Sequence, residues 1–297
     1  MLRLPSRAMR RWLGVLAIAL VAIGCAGKKR VLPPDKLWSE ANHAFDDEAY
    51  ELAADRYKAL LDQYPFDTNA EDAELKLAQS YYLGERYAEA IAAFGDFERM
   101  HPTSANLAQV EYHLGMSYLR QSSTSDRDRQ SYTNALTYFR NIVDRFPESA
   151  WAAKARLRVR ECREALAAHE TAVATYYLRH GNLKAAEARL SGLLADYPET
   201  DATAQALSAF AKAYADRNEP EGATLALATL ARYHPDGPLG TDARHRLGPA
   251  TPYLDGVDPL PLLVGRIEEM RLQADRQQVP RTVSAYPEIG GSGGSPY

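Results

Sequence analysis

At 297 residues the chain has length for one large or two ordinary domains, and 46% hydrophobic with 25% charged residues is an ordinary globular balance. The formal net charge of −4 understates how acidic the body is, because the first 24 residues carry Arg3, Arg7, Arg10 and Arg11 and no acid; such a body argues against nucleic acid as a partner. Two cysteines, Cys25 and Cys162, exclude a disulfide framework and a multi-cysteine metal site.

The N-terminus is built in three parts: a basic stretch over 1–11, an unbroken apolar run over 12–23, and the small residues Gly24, Cys25, Ala26 and Gly27. The run is too short to span a bilayer comfortably, so residues 1–24 read as a secretory signal peptide. Val21-Ala22-Ile23-Gly24-Cys25 resembles the lipobox of bacterial lipoproteins, although Ala22 and Ile23 depart from its usual residues. That resemblance implies acylation of Cys25, with residues 25–34 as a tether, and the absence of an acidic residue directly after Cys25 implies outer-membrane delivery. Each buried methylene of an acyl chain contributes about 0.8 kcal/mol, so several chains hold a protein firmly on a membrane.

The body is punctuated by an aromatic residue or His followed by Pro: Tyr64-Pro65, His101-Pro102, Phe146-Pro147, Tyr197-Pro198 and His234-Pro235. Twelve residues before each Pro stands an Ala (Ala53, Ala90, Ala135, Ala186, Ala223). Eight before stand Tyr57, Phe94, Phe139, Leu190 and Leu227, and five before stand Leu60, Phe97, Ile142, Leu193 and Leu230. Steps of four, three and four fall on one stripe of a helix, which the Pro then stops. Ala41, Ala78, Ala174 and Ala211, twenty-four before their prolines, mark a preceding helix, with Tyr81, Tyr177 and Tyr214 three residues later.

This pattern resembles the tetratricopeptide repeat and implies an all-α solenoid of about five helical hairpins, over about 35–65, 69–102, 106–147, 150–198 and 201–235. The third repeat carries a polar insert, Gln121 to Gln130; the fourth opens with an Ala/Arg/Glu-rich stretch that predicts one long helix to about His180, stopped by Gly181-Asn182. Residues 236–297 read as a C-terminal extension with one candidate helix over 260–278, a Gly/Ser tail, and no plausible core.

A stack of helical hairpins leaves a concave surface suited to an extended ligand. In this repeat type the groove-facing positions of the first two units fall at Trp38, Asn42, Phe45, Leu75, Gln79 and Tyr82, with completion of the inter-repeat core as the alternative role for Phe45 and Leu75.

No catalytic constellation appears: the seven His are scattered, no metal-ligand spacing or phosphate loop is present, and no cofactor is expected. Gly290-Gly291-Ser292-Gly293-Gly294 satisfies G-x-S-x-G but has no strand to form a nucleophile elbow, and Cys162 reads as a small packing residue. The chain is expected to be a binding scaffold and not an enzyme.

A lipidated cysteine followed by five unequal repeats is similar to the BamD family, the lipoprotein subunits of the machinery that inserts β-barrel proteins into the outer membrane. The resemblance covers about 36–235 and is most specific at Tyr112-His113-Leu114-Gly115-Met116-Ser117-Tyr118, Arg145-Phe146-Pro147-Glu148-Ser149, Tyr176-Tyr177, Ala185-Ala186 and Arg189. It implies a periplasm-facing scaffold, anchored in the outer membrane by lipid, that binds a BamA-like barrel-forming subunit, other assembly-complex lipoproteins and unfolded outer-membrane proteins. It also makes Arg189, beside the core stripe of its helix, a candidate partner contact. The alternative is another periplasmic tetratricopeptide adaptor that coordinates cell-envelope or cell-wall work.

Overall fold

The structure, a computed structural model, describes residues 32–122, 129–248, 253 and 256–278. The signal peptide, Cys25, residues 123–128 of the polar insert and the Gly/Ser tail lie outside the described residues. The chain divides into two units, Met1–Glu85 and Arg86–Tyr297.

The first unit holds α1 (Pro34–Asp46), α2 (Tyr50–Gln63) and α3 (Ala70–Leu83). Pro34 opens α1, where its missing N–H costs nothing. α1 and α2 close over Leu37, Ala41, Ala44, Ala53, Tyr57 and Leu60, all buried, with Ala73 of α3 completing the cluster. The Tyr64 hydroxyl donates to the Leu32 carbonyl at 3.0 Å and ties the entering chain to the end of α2.

The second unit holds α4 (Tyr87–Met100), α5 (Leu107–Ser122), α6 (Arg129–Arg145), α7 (Ala150–Arg179), α8 (Leu183–Asp196), α9 (Asp201–Asp216), α10 (Pro220–Tyr233), α11 (Pro238–Leu247) and α12 (Pro259–Gln278). The stripe residues twelve, eight and five before each Pro are buried, those directly before the Pro are half-buried, and the four upstream alanines have no exposed surface. The fold is thus an all-α tetratricopeptide-type solenoid.

Two backbone devices recur, and both follow from local sequence. At the turn inside a hairpin one residue takes a left-handed conformation (Glu48 at φ 59°, Gly181 at 76°, Asn218 at 59°). The amide after it then donates five residues back, Ala49 to Ala44, Asn182 to Tyr177 and Glu219 to Tyr214, at 2.8–3.0 Å. This satisfies a carbonyl that the helix end would otherwise leave unpaired. At the far end of each hairpin the residue before Pro leaves the helix, because the Pro ring disfavours a helical residue ahead of it; Tyr64, for example, has φ −136°. The rings so placed pack: His101 sits 4.7 Å from Phe97, and the His234 Nε2 meets the Pro198 carbonyl at 3.0 Å.

The stretch 150–179 forms one helix of 30 residues. Ser149 caps it, its side chain accepting from the Ala152 amide at 3.1 Å. Farther along, the Glu164 carboxylate accepts from the Asp201 and Ala202 amides at 2.9 and 2.8 Å, so α7 supplies the anion that the N-terminus of α9 favours. Cys162 is fully buried in this helix, and desolvation pushes its thiol up to about 12, the opposite of a reactive cysteine.

The last stretch differs from the sequence reading in one respect. Residues 236–278 hold two helices, α11 as well as α12, and they join the core: Ala243, Leu263 and Ile267 are buried in the same cluster as Phe210, Tyr214 and Leu230. Their apolar positions are too few to announce a core alone and become one only against α10.

Candidate functional site

In the first unit, Trp38, Asn42 and Phe45 lie on one face of α1, and all three meet Lys76 of α3. The Lys76 Nζ lies 5.9 Å from the centre of the Trp38 ring and 5.0 Å from that of Phe45, and donates to the Asn42 Oδ1 at 2.6 Å. The same Oδ1 accepts from the Tyr57 hydroxyl at 2.9 Å, while the Asn42 side-chain amide donates to the Trp38 carbonyl at 3.0 Å. Tyr57 also packs edge-on to both flanking rings, at 5.9 Å from Trp38 and 6.5 Å from Phe45. Burial raises the Tyr57 phenol above its ordinary pKa, so it stays a donor.

The other groove positions are placed differently. Leu75 is 8% exposed and belongs to the buried side of α3, whereas Gln79 and Tyr82 are half-buried. Nothing in the sequence singled out Lys76, since a lysine on a charged helix reads as a solvated residue. Its one signal was the spacing of Trp38, Asn42 and Phe45, which together offer two ring faces and a carbonyl oxygen to a cation.

In the second unit Arg189 is exposed on α8, and its Nη1 donates to the Glu170 Oε2 at 3.1 Å. Arg129 of α6 reaches the other oxygen of Glu170 at 3.5 Å, so guanidiniums from two hairpins share a carboxylate of α7 whose side chain is 12% exposed. Beside this bridge a cleft of about 260 Å³ is lined by Arg129, Arg140, Leu136, Leu166, Asp196 and Tyr197. Arg189 therefore has a structural partner in Glu170 while its side chain stays 44% exposed.

Two buried carboxylates were not legible in the sequence. Glu111 has no exposed surface; burial pushes it up to about 7 against the opposing pull of Arg145, which reaches it at 2.6 Å. Glu187 of α8 accepts from the Tyr214 hydroxyl at 2.8 Å, and desolvation raises its pKa as well. Its cation is Arg266 of α12, which bonds Glu219, lies 3.9 Å from Glu187 and stacks over Tyr214 at 4.8 Å. Gly222 leaves the necessary room, because a Cβ there would stand 2.9 Å from the Arg266 guanidinium carbon and 3.0 Å from the Tyr214 ring. A second ion pair, Lys184 with Asp275, also links α8 to α12.

Among the described residues no cluster of three or more His, Cys, Asp and Glu side chains has the geometry to hold a metal ion, and no helix is long and apolar enough to cross a membrane. The succession of helical hairpins makes this chain a tetratricopeptide-type solenoid. The model of the YfiO family, described as outer membrane lipoprotein, matches residues 31–226. The outer membrane protein assembly factor BamD of Vibrio cholerae serotype O1 is 30% identical over 214 residues, which span 68% of this chain and 88% of that protein. The BamD of Neisseria gonorrhoeae is 29% identical over 245 residues, 78% of this chain and 92% of its own. That of Caulobacter vibrioides is 28% identical over 207 residues, 67% and 68% of the two chains. Among solved structures, the TPR2AB-domain:pHSP90 complex of yeast Sti1 aligns with 82% of this chain and 96% of its own at 15% identity and a TM-score of 0.38. The chain belongs to the BamD (YfiO) family of outer membrane lipoproteins.

Proposed function

We propose that the chain is a lipid-anchored assembly factor on the periplasmic side of the outer membrane, which holds a BamA-like barrel-forming subunit and other assembly-complex lipoproteins and receives unfolded outer-membrane proteins. Family membership carries this reading, and the division of the chain supports it: an aromatic surface suited to an extended segment lies in the first unit, and a cationic surface suited to a folded partner lies in the second. The chemistry is non-covalent, and no residue is assigned to bond making.

The partner contact is assigned to Arg189. Arg189→Glu places a carboxylate beside Glu170, but Arg129 still faces that carboxylate and the replaced side chain is 44% exposed, so the fold should survive. The helical circular-dichroism signal and melting temperature are expected to stay near those of the parent while co-purification of a large β-barrel subunit from solubilised envelopes falls at least tenfold, because reversal adds repulsion to the lost hydrogen bonds. A Glu variant that retains the subunit as well as the parent at low salt would remove Arg189 from the interface. Recovery of cell-wall enzymes and no barrel subunit by the parent itself would favour the envelope-adaptor reading.

Anchoring is assigned to Cys25. Cys25→Ser should leave the protein uncleaved or shift it to the soluble fraction, read by mass spectrometry and by membrane fractionation. Unchanged processing and unchanged membrane association would refute it.

A further inference from the structure

Resting on the reading of Cys25 as the lipid anchor, we infer that Phe66 is a second membrane contact: its ring enters the phospholipid leaflet that holds the acyl chains and fixes how the first hairpin stands on it. Phe66 is 97% exposed, whereas the next most exposed large apolar side chain among the described residues, Val257, is 58% exposed. A single exposed apolar residue needs no explanation by itself; what sets Phe66 apart is its place. The hydrogen bond from the Tyr64 hydroxyl to the Leu32 carbonyl brings the start of α1 and the end of α2 together, so the chain enters the fold beside the loop that carries Phe66. Only seven residues separate Cys25 from Leu32, and a fully extended chain of that length spans at most about 25 Å. Acyl chains on Cys25 therefore keep this end of the hairpin within reach of the bilayer, where a second contact forms intramolecularly and needs little affinity of its own. Lys28, Lys29 and Arg30 lie on the same short stretch, and basic residues next to an anchor are drawn to anionic headgroups.

The ring stands on an ordered turn. The Asp67 amide donates to the Tyr64 carbonyl at 3.1 Å and the Ala70 amide to the Asp67 carbonyl at 3.0 Å, while Pro65 fixes the backbone just ahead of the ring. The Asp67 carboxylate is engaged within the turn, accepting from the Asn69 amide at 2.9 Å and from the Asn69 side chain at 3.0 Å. Because the turn is already held, the ring enters the leaflet without the entropy loss of fixing a loose loop. Asp35, Asp62, Glu71 and Asp72, in the first or last turns of the three helices, are exposed. These carboxylates keep the insertion shallow, at the boundary of headgroups and acyl chains where peripheral proteins seat their apolar side chains, and the three cations of residues 28–30 offset most of their charge.

The test uses the processed, membrane-extracted protein in vesicles of phosphatidylethanolamine and phosphatidylglycerol, with and without lipids brominated near the top of the acyl chain, which quench an indole at contact. Phe66→Trp keeps an aromatic ring at the site. Leu52→Trp is its control, an exposed position about 17 Å back along α2 from Gln63. The emission that each variant adds to that of the parent is followed, and circular dichroism checks that both are folded. The emission added by Phe66→Trp should move to shorter wavelength in vesicles and fall about threefold with brominated lipid, while that added by Leu52→Trp should change little, as expected for one ring at the headgroup boundary. Equal quenching of the two overturns the particular role of Phe66. A wavelength shift without quenching assigns the ring to a protein, a second copy included, and overturns the lipid as its occupant. No quenching in protein that floats with the vesicles and carries an acylated Cys25 by mass spectrometry overturns the contact of Phe66 and leaves the anchor standing. Protein that neither floats nor carries acyl chains overturns the reading of Cys25, and the inference with it.

Discussion

Replacing Phe139 with Ala should lower the stability of the Arg86–Tyr297 unit by about 3–5 kcal/mol, read as a shift of the urea midpoint without a change in slope. The ring is fully buried, packs 5.6 Å from Tyr112 and lies directly over Gly115. Removing it leaves a cavity whose walls are helices α5 and α6, which cannot collapse without losing their own stripe. The same geometry predicts a reversal of sign at its neighbour. A Cβ at Gly115 would stand 2.7 Å from two atoms of the Phe139 ring, so Gly115→Ala in the parent should cost about 1–3 kcal/mol by overpacking. In the Phe139→Ala background the methyl enters vacant space and also relieves the poor helix propensity of Gly, so the same change should stabilise by about 1 kcal/mol. Equal effects of Gly115→Ala in the two backgrounds would show that the ring and the glycine do not touch.

Arg266→Met should cost about 3–5 kcal/mol at pH 8 and much less at pH 5, measured by urea unfolding across that range. The substitution keeps apolar volume and removes the cation that faces Glu187 and Glu219, leaving a buried carboxylate with the Tyr214 hydroxyl and the more distant charge of Arg217. Burial already raises the pKa of Glu187, its largest influence, and loss of Arg266 raises it further. A carboxyl whose folded pKa lies above its unfolded value binds its proton more tightly when folded. Its contribution is therefore favourable at low pH and is lost as pH rises through the folded pKa, which places the deficit on the alkaline side. A deficit that is the same at both pH values would mean that Arg266 acts through its stem and not its charge.

The apolar half of this fold was legible because it repeats. Ala, an aromatic or branched residue and Leu or Ile recur at fixed distances from Pro, and each such position is buried. The long helix over 150–179 was legible for a related reason, an unbroken run without Gly or Pro that ends at Gly181. The polar half was not. Glu187 meets Arg266 from 79 positions away, and Lys76 meets Asn42 from 34; no periodicity links such pairs, and each residue alone resembles a solvated charge. Trp38, Asn42 and Phe45 could be placed on a face of α1, but the cation they surround belongs to another hairpin and becomes visible only in three dimensions.

Helix α7 changes what kind of mechanical object the second unit is. In an ordinary array each hairpin touches its neighbours through separate helices, so a disturbance decays from one repeat to the next. Here one rod about 45 Å long packs against α5, α6, α8 and α9. Its Glu164 also holds the first amides of α9. Tilting either end must move the other, as with a lever on a fixed pivot. Amide hydrogens of α5, α6, α8 and α9 should therefore exchange with solvent as one cooperative block, not repeat by repeat.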